Sequence, residues 1–507
     1  MPSKKHTSVK TNQQDSVAGL TFDNSYAKLP EHFFERLNPI PVQSPHFFRV
    51  NHALAGELGL AANALESIEG VSIFAGNNIP LGAEPIAMAY AGHQFGNFVP
   101  QLGDGRALLL GEVIDRNGQR RDIQLKGSGQ TPFSRGGDGR AALGPVIREY
   151  ILSEAMHALG IRTTRSLAAV TTGEPVFREA ALPGAILTRV AASHVRVGTF
   201  QYFAARDDKQ AIGRLADYVI DRHYPNAKGA ENPYRILLES VIDVQAALVA
   251  SWMHVGFIHG VMNTDNTAIS GETIDYGPCA FMEAYDPATV FSSIDHNGRY
   301  AYGNQGHIAH WNLARFAETL LPLLDPNLDK AMQLAEQAIE SFQNIFGRYW
   351  LSGMRRKIGL FSEEQDDLLL IQNLLELMQR HAADYTLTFR QLSEAAYQDT
   401  EDSGIGSLFS SSPESDAWLT RWKQRLQQEH EPLKARAVAM QNVNPAYIPR
   451  NHRVEQAIEA AVAHGDFSRM DELITLLSNP FKDQPRFSHY ADPPKPEERI
   501  YQTFCGT

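Results

Sequence analysis

The segment His259-Gly-Val-Met-Asn-Thr-Asp-Asn266, followed nine residues later by Asp275-Tyr-Gly277, gathers two carboxylates, two amides and an imidazole. Hard oxygen ligands of this kind suit Mg²⁺ or Mn²⁺, usually with phosphate oxygens completing the shell. The second half predicts a hairpin, with strands at Thr267 to Ser270 and Thr273 to Asp275 around a Gly271-Glu272 turn. In that register Asp275 lies opposite Ala268, and Asn266 is its diagonal neighbour, about 7–8 Å away at Cα. Taken alone, such a stretch is more simply a polar loop with an Asx-turn. Its meaning depends on the elements that position it.

Upstream, Phe98 to Leu102 is strand-like and leads into Gly103-Asp-Gly105-Arg106 and the apolar strand Ala107 to Ile114. Asn117-Gly118 is a strong hairpin signal. The return strand, Arg121 to Lys126, turns Ile123 and Leu125 to one face and Gln124 and Lys126 to the other. Strand, glycine turn, strand, tight turn, strand ending in lysine is the order of a kinase nucleotide-binding lobe. There, glycines let the backbone approach phosphates and the lysine neutralises them. The scheme demands a glutamate on the next helix. Gly144-Pro145 opens such a helix, but it carries both Glu149 and Glu154, and spacing does not choose between them. The intervening Gly127 to Arg140 loop, with Asp138 and Gly139, is either a flexible connection or a second phosphate cradle.

Thr163 to Thr172 and Ala185 to Val190 predict further strands, after which Arg189 and Arg196 supply guanidinium forks. Such forks suit phosphate or a surface salt bridge equally. A long apolar helix, Arg235 to His254, then delivers Phe257-Ile258 and the acid-bearing segment. The expected fold class is therefore α+β, a protein-kinase-like bilobal fold with an antiparallel-sheet N-lobe and a helical C-lobe. The expected division is a disordered tail over 1–28, an extension over 29–97, an N-lobe over 98–204, a C-lobe over 205–400 and a helical C-terminal region over 401–507. Helices are predicted at Asn51 to Leu65, Ile308 to Leu324, Asp329 to Ile345, Glu363 to Ala383, Ser415 to Gln441 (broken or kinked at Pro432) and Val454 to Leu477. An extended tail follows from Asp483.

Set against the kinase catalytic loop H-R-D-x-x-x-x-N, His259 and Asn266 fall in register, yet Val261 holds the position of the catalytic aspartate. The nearest substitute is Asp265. The chain is thus a silent nucleotide-binding scaffold, an atypical kinase, or a transferase whose nucleotide is turned round to place its α-phosphorus at the acceptor.

Bulk properties narrow the classes further. With 507 residues, 43% hydrophobic and 21% charged, the composition is that of a globular protein of several domains. A net charge of −12 argues against a nucleic-acid or anionic-membrane footprint. The N-terminus lacks the apolar core of a signal peptide, and no apolar run of about 18 residues predicts a membrane span. A cytoplasmic location is expected. Two cysteines, Cys279 and Cys505, build neither a disulfide framework nor a Cys₄ zinc site.

Five strings carry a family resemblance: Tyr90-Ala-Gly-His-Gln-Phe-Gly96, Gln101-Leu-Gly-Asp-Gly-Arg-Ala107, Gln124-Leu-Lys-Gly-Ser-Gly129, His259 to Asn266, and Ser293-Ile-Asp-His-Asn-Gly-Arg-Tyr-Ala-Tyr-Gly-Asn304. Together they resemble the selenoprotein O (SelO/YdiU) family over nearly the whole chain from about Leu29 to Cys505. The resemblance implies a pseudokinase that transfers AMP from ATP, or UMP from UTP, to Ser, Thr or Tyr hydroxyls of proteins. It implies that Gly103, Gly105 and Arg106 contact nucleotide, and that Lys126 binds phosphate with Glu149 as its partner. It also implies that Asp138, Gly139, Arg189 and Arg196 complete the phosphate site, that Asp265 accepts the proton, and that Asn266 and Asp275 hold the metal. It further implies a redox-gating disulfide between Cys279 and Cys505, the latter standing where eukaryotic members carry selenocysteine.

Overall fold

The computed structural model describes residues 19–397 and 412–504. Its organising element is an eight-stranded antiparallel sheet. In spatial order the strands are Phe34–Arg36, Ile86–Met88, Ala107–Ile114, Arg120–Lys126, Ala181–Ala191, Arg165–Phe177 and His46–Val50, with Ala141–Ala142 paired to Ala181–Ala191. Three of these strands come from the predicted extension, which is woven into the sheet and does not merely pack against it. Residues 19–28, expected in the tail, are also packed. Leu20 and Tyr26 are buried, and the backbone N–H of Tyr26 donates to Glu112 at 2.6 Å.

Strand alternation gives the sheet two distinct faces. Ile123 and Leu125 face one way, into apolar clusters with Leu54, Phe74 and Val42 of the extension. Gln124, Lys126 and their cross-strand partners Arg189 and Leu187 face the other. On that side lies the helix Leu143–Ala158, itself covered by Asn451–His464 and Ser468–Leu477. A polar row is thereby enclosed between sheet and helix.

The helical part follows from residue 197. Pro233–His254 packs against Gln305–Leu324 and Leu328–Lys357. It is long and apolar enough to cross a membrane by length and composition alone, contrary to the expectation above. Its apolar residues Leu237, Leu238, Val241, Ile242 and Val249 are nevertheless buried in the protein core. A second core joins Asp367–Arg380, Tyr385–Ala395 and Pro413–Leu426 around Trp418 and Trp422. This is a mixed α/β architecture of one large sheet, two small strand pairs and helical regions, consistent with a kinase-like fold.

Several predicted elements break where local chemistry dictates. The helix expected over Asn51 to Leu65 is split into His52–Glu57 and Ala62–Leu65, with Gly59 between them at φ +79°. The helix expected over Ser415 to Gln441 is broken into Pro413–Leu426 and Leu433–Gln441, with Pro432 at the N-cap of the second. The last predicted helix ends at Gly465, a left-handed C-cap, and restarts as Ser468–Leu477. The strand expected at Phe98 to Leu102 is reduced to Asn97–Val99, which pairs outside the main sheet with Gly92–Gln94. The tail from Asp483 contains short 3₁₀ turns at Pro485–Tyr490 and Pro496–Glu498.

Candidate active site

The hairpin predicted between Asn266 and Asp275 does not form. Ala268 bridges Arg196, and Thr273 bridges Thr163 in parallel. Backbone groups are committed to distant partners: Val197 N–H to Thr267 C=O at 2.9 Å, Ile269 N–H to Val195 C=O at 2.9 Å, and Thr273 N–H to Arg162 C=O at 2.9 Å. The segment is an open loop wedged between the start of one sheet strand and the link leaving another. His259 is buried, and its Nε2 lies 2.9 Å from Ile274 C=O, fastening the two ends of the loop. Burial holds its imidazole below the usual histidine range, so it serves as a neutral brace.

Asp275, in the left-handed region at φ +63°, is the hub of the site. Its Oδ1 accepts from Lys126 Nζ at 3.0 Å and Arg189 Nη2 at 2.7 Å, and its Oδ2 from Arg196 Nη1 at 2.7 Å. Burial disfavours its charge, but Arg189, Lys126 and Arg196 outweigh that and hold its carboxyl well below the usual range. Glu149 is the second anion, accepting from Lys126 Nζ at 2.6 Å and from Arg189 Nε at 2.8 Å. The structure thus selects Glu149 for the lysine. Glu154 faces elsewhere, toward Arg165 at 2.8 Å, Asn51 and the Ser166 N–H. Gln124, one pleat from Lys126, accepts from Arg189 Nη1 at 3.2 Å and donates to Asp104 at 3.4 Å. Asp104, set within the glycine turn, is buried and pushed up to about 6 by that burial. The local sequence signal at this turn is its flanking glycines; the contact of Asp104 depends on Gln124, 20 positions away.

Arg196 joins this cluster to the second acid. The same Nη1 donates to the Asp265 backbone C=O at 2.7 Å, and the guanidinium lies 4.7 Å from the Tyr90 ring centroid. The Asp265 side chain has a different environment. Its Oδ2 accepts from Gln94 Nε2 at 3.2 Å, while Oδ1 is buried with no hydrogen-bond partner among the described residues. Burial pushes the carboxyl up to about 6, against the lowering influence of Gln94 and Arg196. Asn266 donates its amide N–H to Val261 C=O at 2.9 Å. Val261 itself is buried.

A cavity of about 520 Å³ adjoins the cluster, lined by Tyr90, Gly103, Gly105, Arg106, Asp138, Gly139 and Arg178 among others. It brings together the Gly103 to Arg106 turn and the later part of the Gly127 to Arg140 loop. Their packing explains the glycines: a Cβ on Gly103 would lie 2.3 Å from the Phe133 ring, and one on Gly139 would lie 2.1 Å from Gly129 C=O. Thr131 Oγ1 ties the loops by donating to Asp104 C=O at 2.7 Å. Asp138 is paired with Arg178 at 2.8 Å, a partner that sequence did not suggest.

Among the described residues, no group of three or more His, Cys, Asp or Glu side chains gathers as a ready metal site. A cation there would rest on the ionised Asp275 and the Asn266 amide oxygen, a sparse hard-oxygen set that fits an ion sharing its shell with phosphates. The predicted Cys279–Cys505 bond involves a residue outside those described. Cys279 is fully buried, and Thr503 Oγ1 donates to the neighbouring Pro278 C=O at 2.6 Å.

A strand lysine paired with a helix glutamate, an adjacent ionised aspartate and a glycine-lined cavity are the parts of a nucleotide-using transferase. The comparisons narrow the class. Residues 16–478 match the family model described as protein adenylyltransferase SelO. Proteins named protein nucleotidyltransferase YdiU are 62% identical in Rhizobium johnstonii, over 97% of this chain and 98% of that protein. Identity is also 62% to the one of Rhizobium meliloti (97% and 100%), and 61% to that of a Bradyrhizobium species (96% and 99%). The chain belongs to the SelO family.

Proposed function

We propose that this protein nucleotidyltransferase moves AMP from ATP, or UMP from UTP, onto Ser, Thr or Tyr hydroxyls of proteins in the cytoplasm. The two halves of the molecule are taken as the lobes of a kinase-like pseudokinase with the nucleotide between them. The acceptor oxygen attacks the α-phosphorus, the bond from that phosphorus to the bridging oxygen breaks, and pyrophosphate departs. The acceptor proton passes to Asp265. Lys126, Arg189 and Arg196 supply positive charge to the phosphates, with Glu149 fixing the lysine. Gly103, Gly105, Arg106, Asp138 and Gly139 shape the adjoining cavity for the rest of the nucleotide. Mg²⁺ or Mn²⁺, held by Asn266 and Asp275, would neutralise phosphate charge.

One observation carries this reading: the kinase base position is a buried valine, whereas Asp265 presents a buried carboxylate oxygen without a hydrogen-bond partner among the described residues. A group with a pKa near 6 is ionised at neutral pH yet basic enough to take a proton. Supplied with ATP labelled on either phosphate, the protein should transfer α-label and not γ-label to a protein acceptor. Transfer of γ-label alone would mark an atypical kinase. Anchoring of Thr503 beside Pro278 supports a redox bond between Cys279 and Cys505. Reductant should then raise activity, and Cys505→Ala should remove that response.

A further inference from the structure

Two of the five motif strings, Tyr90 to Gly96 and Ser293 to Asn304, meet beside the loop that bears Asp265, and of their residues only Tyr90 lines the nucleotide cavity. The hairpin Gly92–Gln94 and Asn97–Val99 lies apart from the main sheet, with its first strand pressed on that loop. His93 N–H donates to Thr264 Oγ1 at 2.7 Å, and Phe95 N–H donates to Asn263 Oδ1 at 3.1 Å. A Cβ on Gly92 would sit 2.6 Å from Asp265 Oδ1. From the second string, Tyr300 Oη donates to the same Asn263 Oδ1 at 2.6 Å. The Arg299 guanidinium covers the hairpin turn, where a Cβ on Gly96 would lie 3.5 Å from its Cζ. The hairpin is thereby fixed relative to Asp265.

A row of aromatic rings carrying guanidiniums runs along this hairpin. Between ring centroids, His93 packs 4.9 Å from Phe98 and 5.2 Å from Trp311. Arg299 lies 4.8 Å and Arg315 5.2 Å from the Trp311 ring centroid. Past Phe98, Arg206 lies 3.5 Å from the Tyr202 ring centroid and donates to Pro100 C=O at 3.2 Å. Phe98 and Arg206 are exposed, and the other rings and guanidiniums of the row are half-buried. Among the described residues, neither Arg206 nor Arg299 has a carboxylate partner, and Arg315 has one, Glu318 at 2.6 Å. Asp295 is buried and engaged by the backbone N–H groups of Arg299 and Tyr300 at 2.9 and 2.8 Å. A chain of net charge −12 thus sets three guanidiniums against one paired carboxylate along this row.

Stacking on a ring fixes a guanidinium and leaves its edges, the fork that matches a carboxylate, for bonding. Arginine, tryptophan and tyrosine are also the side chains that dominate protein interfaces. We propose that this row is the docking surface for the protein acceptor and that it selects acceptors with an acidic segment near the modified hydroxyl. The inference rests on nucleotide transfer to proteins and names the substrate class of that site. Glutamate or aspartate side chains of the acceptor pair with Arg206, Arg299 and Arg315, while Phe98 gives an apolar contact. The hairpin under the row sets the bound segment beside the loop that bears Asp265. A long polyanion such as a nucleic acid would overrun the row onto the acidic remainder of the chain, whereas a short acidic segment would not.

The test titrates the full-length protein with fluorescent peptides of equal length that carry one tyrosine among glutamates, serines or lysines. ATP with a methylene bridge between its α- and β-phosphates is kept saturating, so that binding is read without transfer. Anisotropy should show the glutamate peptide bound about tenfold more tightly than the serine peptide at low salt, with the lysine peptide weakest. The gap should close as salt screens the charges. Arg299→Glu and Arg206→Glu should each weaken binding of the glutamate peptide about fivefold, with nucleotide KM unchanged. Arg206 is exposed and makes no contact with the turn at Gly96, so its reversal reads the surface even if Arg299→Glu disturbs that turn. Equal affinity for the three peptides, or a glutamate preference that survives both reversals, overturns the proposal. So does tighter binding of a single-stranded oligonucleotide of the same charge that the same reversals release. If the glutamate peptide binds as expected yet never takes α-label from labelled ATP, the docking surface stands and the reading of the reaction fails.

Discussion

Asp275 and Asp265 sit ten residues apart on one loop and differ in almost every physical respect. Asp275 is ringed by Lys126, Arg189 and Arg196 and is held ionised far below neutral pH. Among the described residues Asp265 has one amide donor and one unpartnered oxygen, and its carboxyl is lifted to about 6. Pairs of acids whose surroundings push their pKa values apart mark a division of labour. The first suits a permanent anion that anchors cations. The second suits a base that must bind and release a proton. A single guanidinium, Arg196, touches both and fixes their relative placement.

The largest expected effect falls on the saturated side. Asp275→Ala strips Lys126, Arg189 and Arg196 of the carboxylate all three share, leaving Glu149 hydrogen-bonded to Lys126 and Arg189. Transfer should fall by about 10²–10³ or more, and metal-dependent nucleotide binding, followed by calorimetry, should vanish. Retention of that binding would break the contrast between the two acids. Glu149→Gln uncovers the same cations from the helix side and should cost about 3–5 kcal/mol in denaturant unfolding, as breaking a buried pair does. Glu154→Gln, whose partners are Arg165 and Asn51, should leave transfer intact below its melting temperature. Equal losses of activity in both glutamate variants would refute the pairing of Lys126 with Glu149.

On the other side, the parent enzyme's kcat should fall about tenfold per pH unit below about 6 as Asp265 takes up a proton. Asp275, with its depressed pKa, should contribute no limb in that range. The smallest effect belongs to Arg178→Ala. Its partner Asp138 is 43% exposed, so unfolding free energy should change by no more than about 1 kcal/mol.

What sequence revealed and what it hid follow one physical rule. The strands Ala107–Ile114 and Arg120–Lys126 were legible because alternation and an Asn-Gly turn are local signals. The facing of Lys126 followed from the same alternation. The choice of Glu149 over Glu154 was not legible from spacing, since both lie on one helix and only the sheet decides which faces inward. The Asn266–Asp275 hairpin was locally reasonable and still wrong, because backbone groups at 162–164 and 195–197 compete for the same strand edges. Asp104 and Gln94 lie in motif segments whose local sequence does not mark their contacts. Their meaning comes from partners about 20 and 170 positions away.

The most direct measurement is nucleotide binding beside nucleotidyl transfer in Asp265→Asn. The account predicts that this variant binds metal and nucleotide as the parent does while transfer falls by about 10²–10⁴. Parental transfer in Asp265→Asn, or loss of binding equal to the loss of transfer, would contradict it.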